Sequence, residues 1–252
     1  MIESPQSFIV STECSKAAEQ HGFRRRLGEI EGWAAFQSTT VKGTIWLAAE
    51  GHHGPWYLAL DHAGVEAELN LPVVDIAGPG IARYAFADLG ELYAVLIRQY
   101  QLAVSLPNAP LQEFLERTRD LPKTTEAERL VVQRVGQNIF RDRLLQYWQG
   151  RCPLTGIADQ ALLRASHIKP WRDCETDGER LDVHNGLLLS ALWDAAFDAG
   201  LVTFNDDGGP EFSVHLSPEA RSSLCFRERL SLTQKHKGSL EWHRAMVFQS
   251  QG

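Results

Sequence analysis

The sequence predicts an α+β protein: a mixed α/β N-terminal domain over residues 1–106, a helical linker over 107–150 and a second small domain over 151–252. Three observations carry this. Short β-prone runs separated by Gly and Pro crowd residues 33–61. Apolar residues at helical spacing fill 89–102 and 125–148. Hairpin-like runs return after Arg151. A chain of 252 residues suits one large domain or two small ones. Its 44% hydrophobic and 23% charged residues are those of an ordinary globular protein. No apolar run approaches the roughly 18 residues of a membrane span.

In the N-terminal part, Trp33 to Thr40 and Gly43 to Ala49 are two β-prone runs. The turn cluster Gly51-His52-His53-Gly54-Pro55 precedes WYLALD, a third strand, and its histidines read as turn residues. LPVVDIAGPG ends in another break. Leu89, Leu92, Val95, Leu96 and Leu102 then predict a helix. Pro107 and Pro110 mark a boundary, and Leu111 to about Arg119 is a short amphipathic helix. Thr125 and Glu128 have capping-box spacing. The helix they open carries Leu130, Val131, Val135, Ile139, Leu144, Leu145 and Trp148 on one broad face, and Gly150 stops it.

Beyond Arg151, RCPLTG reads as a tight turn and LLRASHIKPW as a short β-run stopped by Pro170. RDCETDGERLDVH is a polar loop in which Asp182 and His184 sit at alternate positions facing solvent. NGLLLSALWDAAFDAG starts extended and turns helical near Ser190, with Gly200 at its C-terminal end. LVTFNDDGGPEFSVHL is a β-hairpin, and its NDDGG acids belong to the turn because the spacing and flanking helices of a calcium loop are missing.

The net charge of −7 argues mildly against a polyanion partner. Between Arg117 and Arg151, however, eight basic side chains, Lys123 among them, stand against four acidic ones. Such a stretch is either a solvated helix face or a phosphate contact. Cys14, Cys152, Cys174 and Cys225 lie far apart with no C-x-x-C pair. That predicts a reducing compartment, no disulfide framework and no structural zinc. The N-terminus lacks a basic start followed by an apolar stretch, so no signal peptide and a cytoplasmic location are expected.

The chemistry concentrates after Arg164. His167 alone reads as a core histidine on a strand. Asn185 follows it by 18 residues, Asp194 follows Asn185 by 9 and Asp198 by 13. On a helix Asp194 and Asp198 are i and i+4, so both carboxylates point the same way. They repel each other, which is tolerated with a cation between them or with the face fully in water. Lys169 and Arg172 flank Trp171.

CPLTG, SHIKPW, LDVHNGLLLS and WDAAFDAGLVTF occur in the order seen in one bacterial branch of the HNH endonucleases, and over Arg151 to Phe204 the chain resembles that family. The resemblance implies a ββα-metal finger that hydrolyses DNA phosphodiesters. His167 would be the general base, and Asn185 would brace the loop and hold the His geometry. Asp194 and Asp198 stand where other branches place metal-binding histidines, with Ser166 where many members carry a further Asp or His ligand. Oxygen donors favour Mg²⁺ or Mn²⁺, one per nuclease domain. A serine hydroxyl is a poor ligand, so a water at that position or a single aspartate are alternatives. Arg164, Lys169, Trp171 and Arg172 would contact DNA, against the plainer reading of Lys169 and Arg172 as ordinary surface charge.

Trp33, Phe36, Trp46, Trp56 and Tyr57 are many aromatics for 25 residues, either sheet core or the walls of a pocket for a flipped, modified base. The layout is similar to modification-dependent restriction endonucleases, with an N-terminal DNA-recognition domain before the nuclease. A catalytically inactive DNA-binding module and a ligand-activated nuclease effector remain as other readings. One finger cuts one strand at a time, so a homodimer through the helices at Leu111 to Arg119 and Glu126 to Trp148 is expected to match the dyad of DNA.

Overall fold

The computed structural model describes residues 1–122 and 124–250; Lys123 of the basic stretch lies outside them. The chain divides into two compact units, Met1–Val104 and Ser105–Gly252.

The first unit opens with helix α1 (Phe8–Gln20), capped by Ser7. Val10, Cys14, Ala17 and Ala18 form its buried stripe at helical spacing. Strands β1 (Arg25–Ile30), β2 (Trp33–Gln37), β3 (Thr44–Ala49) and β4 (Trp56–Leu60) follow, then α2 (Ala63–Leu69), β5 (Ala82–Phe86) and α3 (Leu89–Ser105). The five strands form one antiparallel sheet in chain order. β1 is an edge with every residue exposed, while β4 is buried throughout. A register shift between Arg26 and Gly28, together with the two arginines, blunts that edge against pairing with another chain. Large and small residues alternate across the ladder: Trp46 stands opposite Ala35 on one side and Ala59 on the other.

The aromatic residues form the packing of this sheet. Trp33, Phe36 and Trp56 are each 1% exposed and Tyr57 is 6% exposed, so these four rings belong to the core. Trp33 packs with Ala48, Tyr57 and Ala59, against Ile2, Trp46 and Ile76. Its indole N–H donates to the Ala77 carbonyl at 3.3 Å. Burial of each such ring contributes roughly 1.5–3 kcal/mol.

The second unit begins with α4 (Asn108–Thr118) and α5 (Glu126–Tyr147), which pack on each other. Thr125 and Glu128 form the expected capping box. The apolar face of α5 is core only from Gly136 onward; Leu130 and Val131 are 54% and 52% exposed. Part of the basic stretch is used inside the fold, while Arg119, Arg129, Arg134 and Arg151 are exposed. Glu113 pairs with both Arg117 and Arg143, and Arg141 donates to the carbonyls of Leu163 and Gln160. Gln149 and Gly150, both at positive φ, end the helix.

Strand β6 (Leu163–His167), α6 (Asp177–Arg180), β7 (Gly186–Ser190) and α7 (Ala191–Asp198) come next, then the hairpin β8 (Val202–Phe204) and β9 (Pro210–Phe212). β6 and β7 pair antiparallel, with His167 opposite Gly186. α7 packs on both strands. Gly200 has φ +67°, and a Cβ there would stand 2.2 Å from the Val247 carbonyl oxygen, so glycine is required on two counts. Two more helices, α8 (Pro218–Ser223) and α9 (Gln234–Met246), complete the chain; α9 packs on β8. No helix among the described residues is long and apolar enough to cross a membrane.

Candidate active site

Strand alternation makes neighbours on β6 face opposite ways, and this separates the two roles of Ser166 and His167. Ser166 is 3% exposed and donates its hydroxyl to Asp194 on α7. It therefore fixes the direction of that carboxylate. His167 faces α5, where its ring stacks on Phe140 with centroids 3.7 Å apart and planes at 15°. Trp171 meets it edge-on at 5.6 Å and 87°.

His167 Nε2 lies 2.9 Å from the Arg180 carbonyl. A carbonyl only accepts, so Nε2 carries the hydrogen and the neutral ring keeps its lone pair on Nδ1. Burial pushes the imidazole pKa down to about 4, partly opposed by the Arg180 hydrogen bond. The ring is thus neutral at pH 7 and able to take a proton. A phosphate entering nearby would raise that pKa and strengthen the base.

The loop between the strands is tied by Asn185, 2% exposed. Its Oδ1 accepts from the Lys169 N–H at 2.8 Å, and its Nδ2 donates to the Lys169 carbonyl at 3.1 Å. Arg180 adds contacts that the sequence did not signal: its Nε donates to the Trp171 carbonyl and its Nη2 to the Cys174 carbonyl, while its own carbonyl orients His167. An arginine at the end of a short helix whose partners are all main-chain or local leaves no motif.

His184 differs from the solvent-facing reading, while the Asp182 side chain is 32% exposed. His184 lies on a 3₁₀ turn, Val183–Asn185, that Asp182 caps; it is 1% exposed and its Nδ1 is 2.7 Å from Asp182. The turn packs under α9, which buries the imidazole.

Ser166, His167, Trp171 and Asp198 line one cleft of about 320 Å³, joined by His243 of α9. His243 was not foreseen because α9 carries no motif. Its Nδ1 meets the Thr203 hydroxyl and its Nε2 the Phe197 carbonyl, so its ring is a wall of the cleft with both nitrogens engaged. Asp194 stands behind Ser166. Partial burial first, then the Asp194 charge, raise the Asp198 carboxyl to a pKa of about 6. The two acids therefore sense each other across one helical turn, an oxygen-donor pair that suits a hard divalent cation. No group of three or more His, Cys, Asp or Glu with metal-binding proximity occurs among the described residues.

Of the expected DNA contacts, Arg172 has a side chain 87% exposed and pairs with its neighbour Asp173 at 3.4 Å. Lys169 is paired with Glu179 at 2.7 Å. Trp171 is turned onto α5, and Arg164 donates to the carbonyls of Ala161 and Leu163.

Residues 152–205 match the family of HNH endonucleases. The C-terminal unit carries an HNH domain. The match runs from Cys152 to Asn205, so the HNH domain as matched holds β6, α6, β7, α7 and β8, while Phe140 and His243 come from helices outside it. No curated protein matches the chain.

One prediction follows from Asp198 in the metal-free protein. Its folded pKa is raised, so the stability it contributes is present at low pH and lost as pH rises through about 6. Asp198→Asn should melt at a higher temperature than the native chain above pH ~7, with the gain shrinking as pH falls through about 6 and disappearing only below the ordinary aspartate value of 3.8, where the carboxyl is protonated in both the folded and the unfolded chain. Scanning calorimetry at the two ends of this range checks this, and an equal shift at each would refute the assigned coupling.

Proposed function

We propose that this chain is a divalent-metal-dependent DNA endonuclease whose first unit reads DNA and whose HNH domain cuts it. The observation that carries the reading is the cleft that a neutral His167, hydrogen-bonded through Nε2, lines together with Asp198 of α7, whose neighbour Asp194 is held by Ser166. In this scheme His167 Nδ1 takes a proton from a water, and the resulting hydroxide attacks phosphorus. The bond to the 3′ oxygen breaks and that oxygen leaves with a proton from solvent. General-base help of this kind is worth roughly 10²–10⁴ in rate. Asp194 and Asp198 would hold a Mg²⁺ or Mn²⁺ ion, which when bound neutralises charge on the phosphate and on the departing oxygen. Ser166 orients Asp194, Asn185 braces the loop, and Arg172 contacts a neighbouring phosphate.

A restriction or defence role fits the layout of a separate folded unit beside a nuclease. The test is incubation of the full chain with duplexes carrying methyl, hydroxymethyl, glucosyl or phosphorothioate marks, and with unmarked DNA, plus Mg²⁺ or Mn²⁺. Cleavage that stops with a chelator supports the reading. A competing reading, a DNA-binding module without activity, draws on Ser166 standing where an acidic or histidine ligand is common; binding without cleavage on every substrate favours it.

Two such chains would cut both strands. Leu115, Leu130 and Val131 on α4 and α5 are about half exposed and would supply the contact. Light scattering at micromolar concentration should give twice the 28.2 kDa chain mass; a monomer mass with and without cleavable DNA rejects the dimer.

A further inference from the structure

We propose that Phe140 of α5 is a positioning residue for His167. The role rests on the nuclease reading above, and it is supplied from outside the matched HNH segment. Phe140 is 1% exposed and its ring lies parallel to the imidazole at stacking distance. The slot for it is made by a missing side chain. Gly186 is the residue opposite His167 in the ladder, and a Cβ there would stand 2.5 Å from Phe140 Cζ and 2.9 Å from the Leu144 methyls. Any larger residue at 186 would drive Phe140 away from the imidazole.

A second glycine works from the same helix. Gly136 lies one turn before Phe140, and a Cβ on it would be 2.4 Å from Trp171 Cη2. The indole can therefore settle on α5 and set its ring against the edge of His167. Three contacts then remove three freedoms. Stacking on Phe140 sets the plane of the imidazole. The hydrogen bond from Nε2 to the Arg180 carbonyl fixes its rotation within that plane. Trp171 blocks sideways movement. The Nδ1 lone pair is left with one direction. Phe140 touches no substrate and acts only through His167, so it is not itself catalytic.

The experiment uses the full chain with Mg²⁺ and a duplex that the native protein cleaves. Phe140→Leu should lower kcat about tenfold to a hundredfold, the usual result of loosening a reacting group. KM for DNA should stay within about twofold, because ground-state binding is untouched. Combined with His167→Ala, Phe140→Leu should cause no further loss, since its effect passes through the imidazole. Circular dichroism and a melting curve confirm folding, and Phe140→Met replaces Phe140→Leu if the latter does not fold. If Phe140→Leu slows the His167→Ala protein by the same factor as the native one, the residue is merely structural and the inference fails. A raised KM with unchanged kcat, or unfolding of both variants, overturns it as well. If the native chain cuts no DNA, the nuclease reading fails first and this inference falls with it.

Discussion

His167→Ala is expected to cleave DNA roughly 10²–10⁴-fold more slowly than the native chain, the range for loss of a general base. Folding should survive. The β6–β7 ladder is made by backbone groups, and the substitution leaves every one of its hydrogen bonds in place. What it removes is one donor to the Arg180 carbonyl and one face of the Phe140 stack. An unpaired carbonyl of this kind costs about 1–3 kcal/mol, less where water reaches it. The melting temperature should therefore fall by several degrees while circular dichroism is unchanged. Binding to uncut DNA should also persist, because the imidazole is neutral and Arg172 is untouched. Cleavage at the native rate by a correctly folded His167→Ala protein would remove His167 from the chemistry.

Asp194→Asn is expected to abolish divalent-dependent cleavage and the divalent-dependent rise in melting temperature. Asparagine keeps an acceptor for the Ser166 hydroxyl, so the local geometry is retained and only the charge is lost. This separates an electrostatic role from a packing one. In the native chain, Mg²⁺ or Mn²⁺ at a hundred times its dissociation constant should stabilise the fold by about 2.7 kcal/mol. The variant should show no such shift. Its Asp198 carboxyl should also return toward the ordinary aspartate range, because the neighbouring charge that raises it is gone, although burial still holds it up. Calorimetry with each ion on the native chain and on Asp194→Asn reads this without any cleavage assay. Equal ion binding by the two proteins would mean that α7 does not hold the metal.

The sequence by itself determined the α+β class, the order of elements around the site and the spacing of its chemistry. Local rules were sufficient there. Thr125 and Glu128 close a capping box within one turn, Gly150 ends α5, and Asp194 and Asp198 share a helix face because they are four apart. SHIKPW and the run through Asn185 also belong to a strand, the loop carrying α6 and a strand close in sequence. Other elements were not legible. The buried residues of α1 are mostly small while its large Phe8 and Ile9 are exposed, and α9 carries six charged or histidine residues in 13, so neither announces a buried face. The half-exposed face of α5 also misled, since periodicity shows that a stripe exists but not what covers it.

Only the tertiary structure decided how His167 is held. Its neighbours in space come from four separate segments: Phe140 from α5, Arg180 from α6, Trp171 from the loop and Gly186 from β7. Burial by these groups lowers its pKa and chooses its tautomer, and both effects depend on distances between residues that are remote along the chain. The aromatic residues of the first unit show the same division. Their composition favoured a core over a pocket without showing which faces close, and the closing of β2, β3 and β4 into one sheet placed Trp33, Trp56 and Tyr57 inside. Residue type sets what a side chain can do, while the solvent and partners left to it are properties of the folded chain.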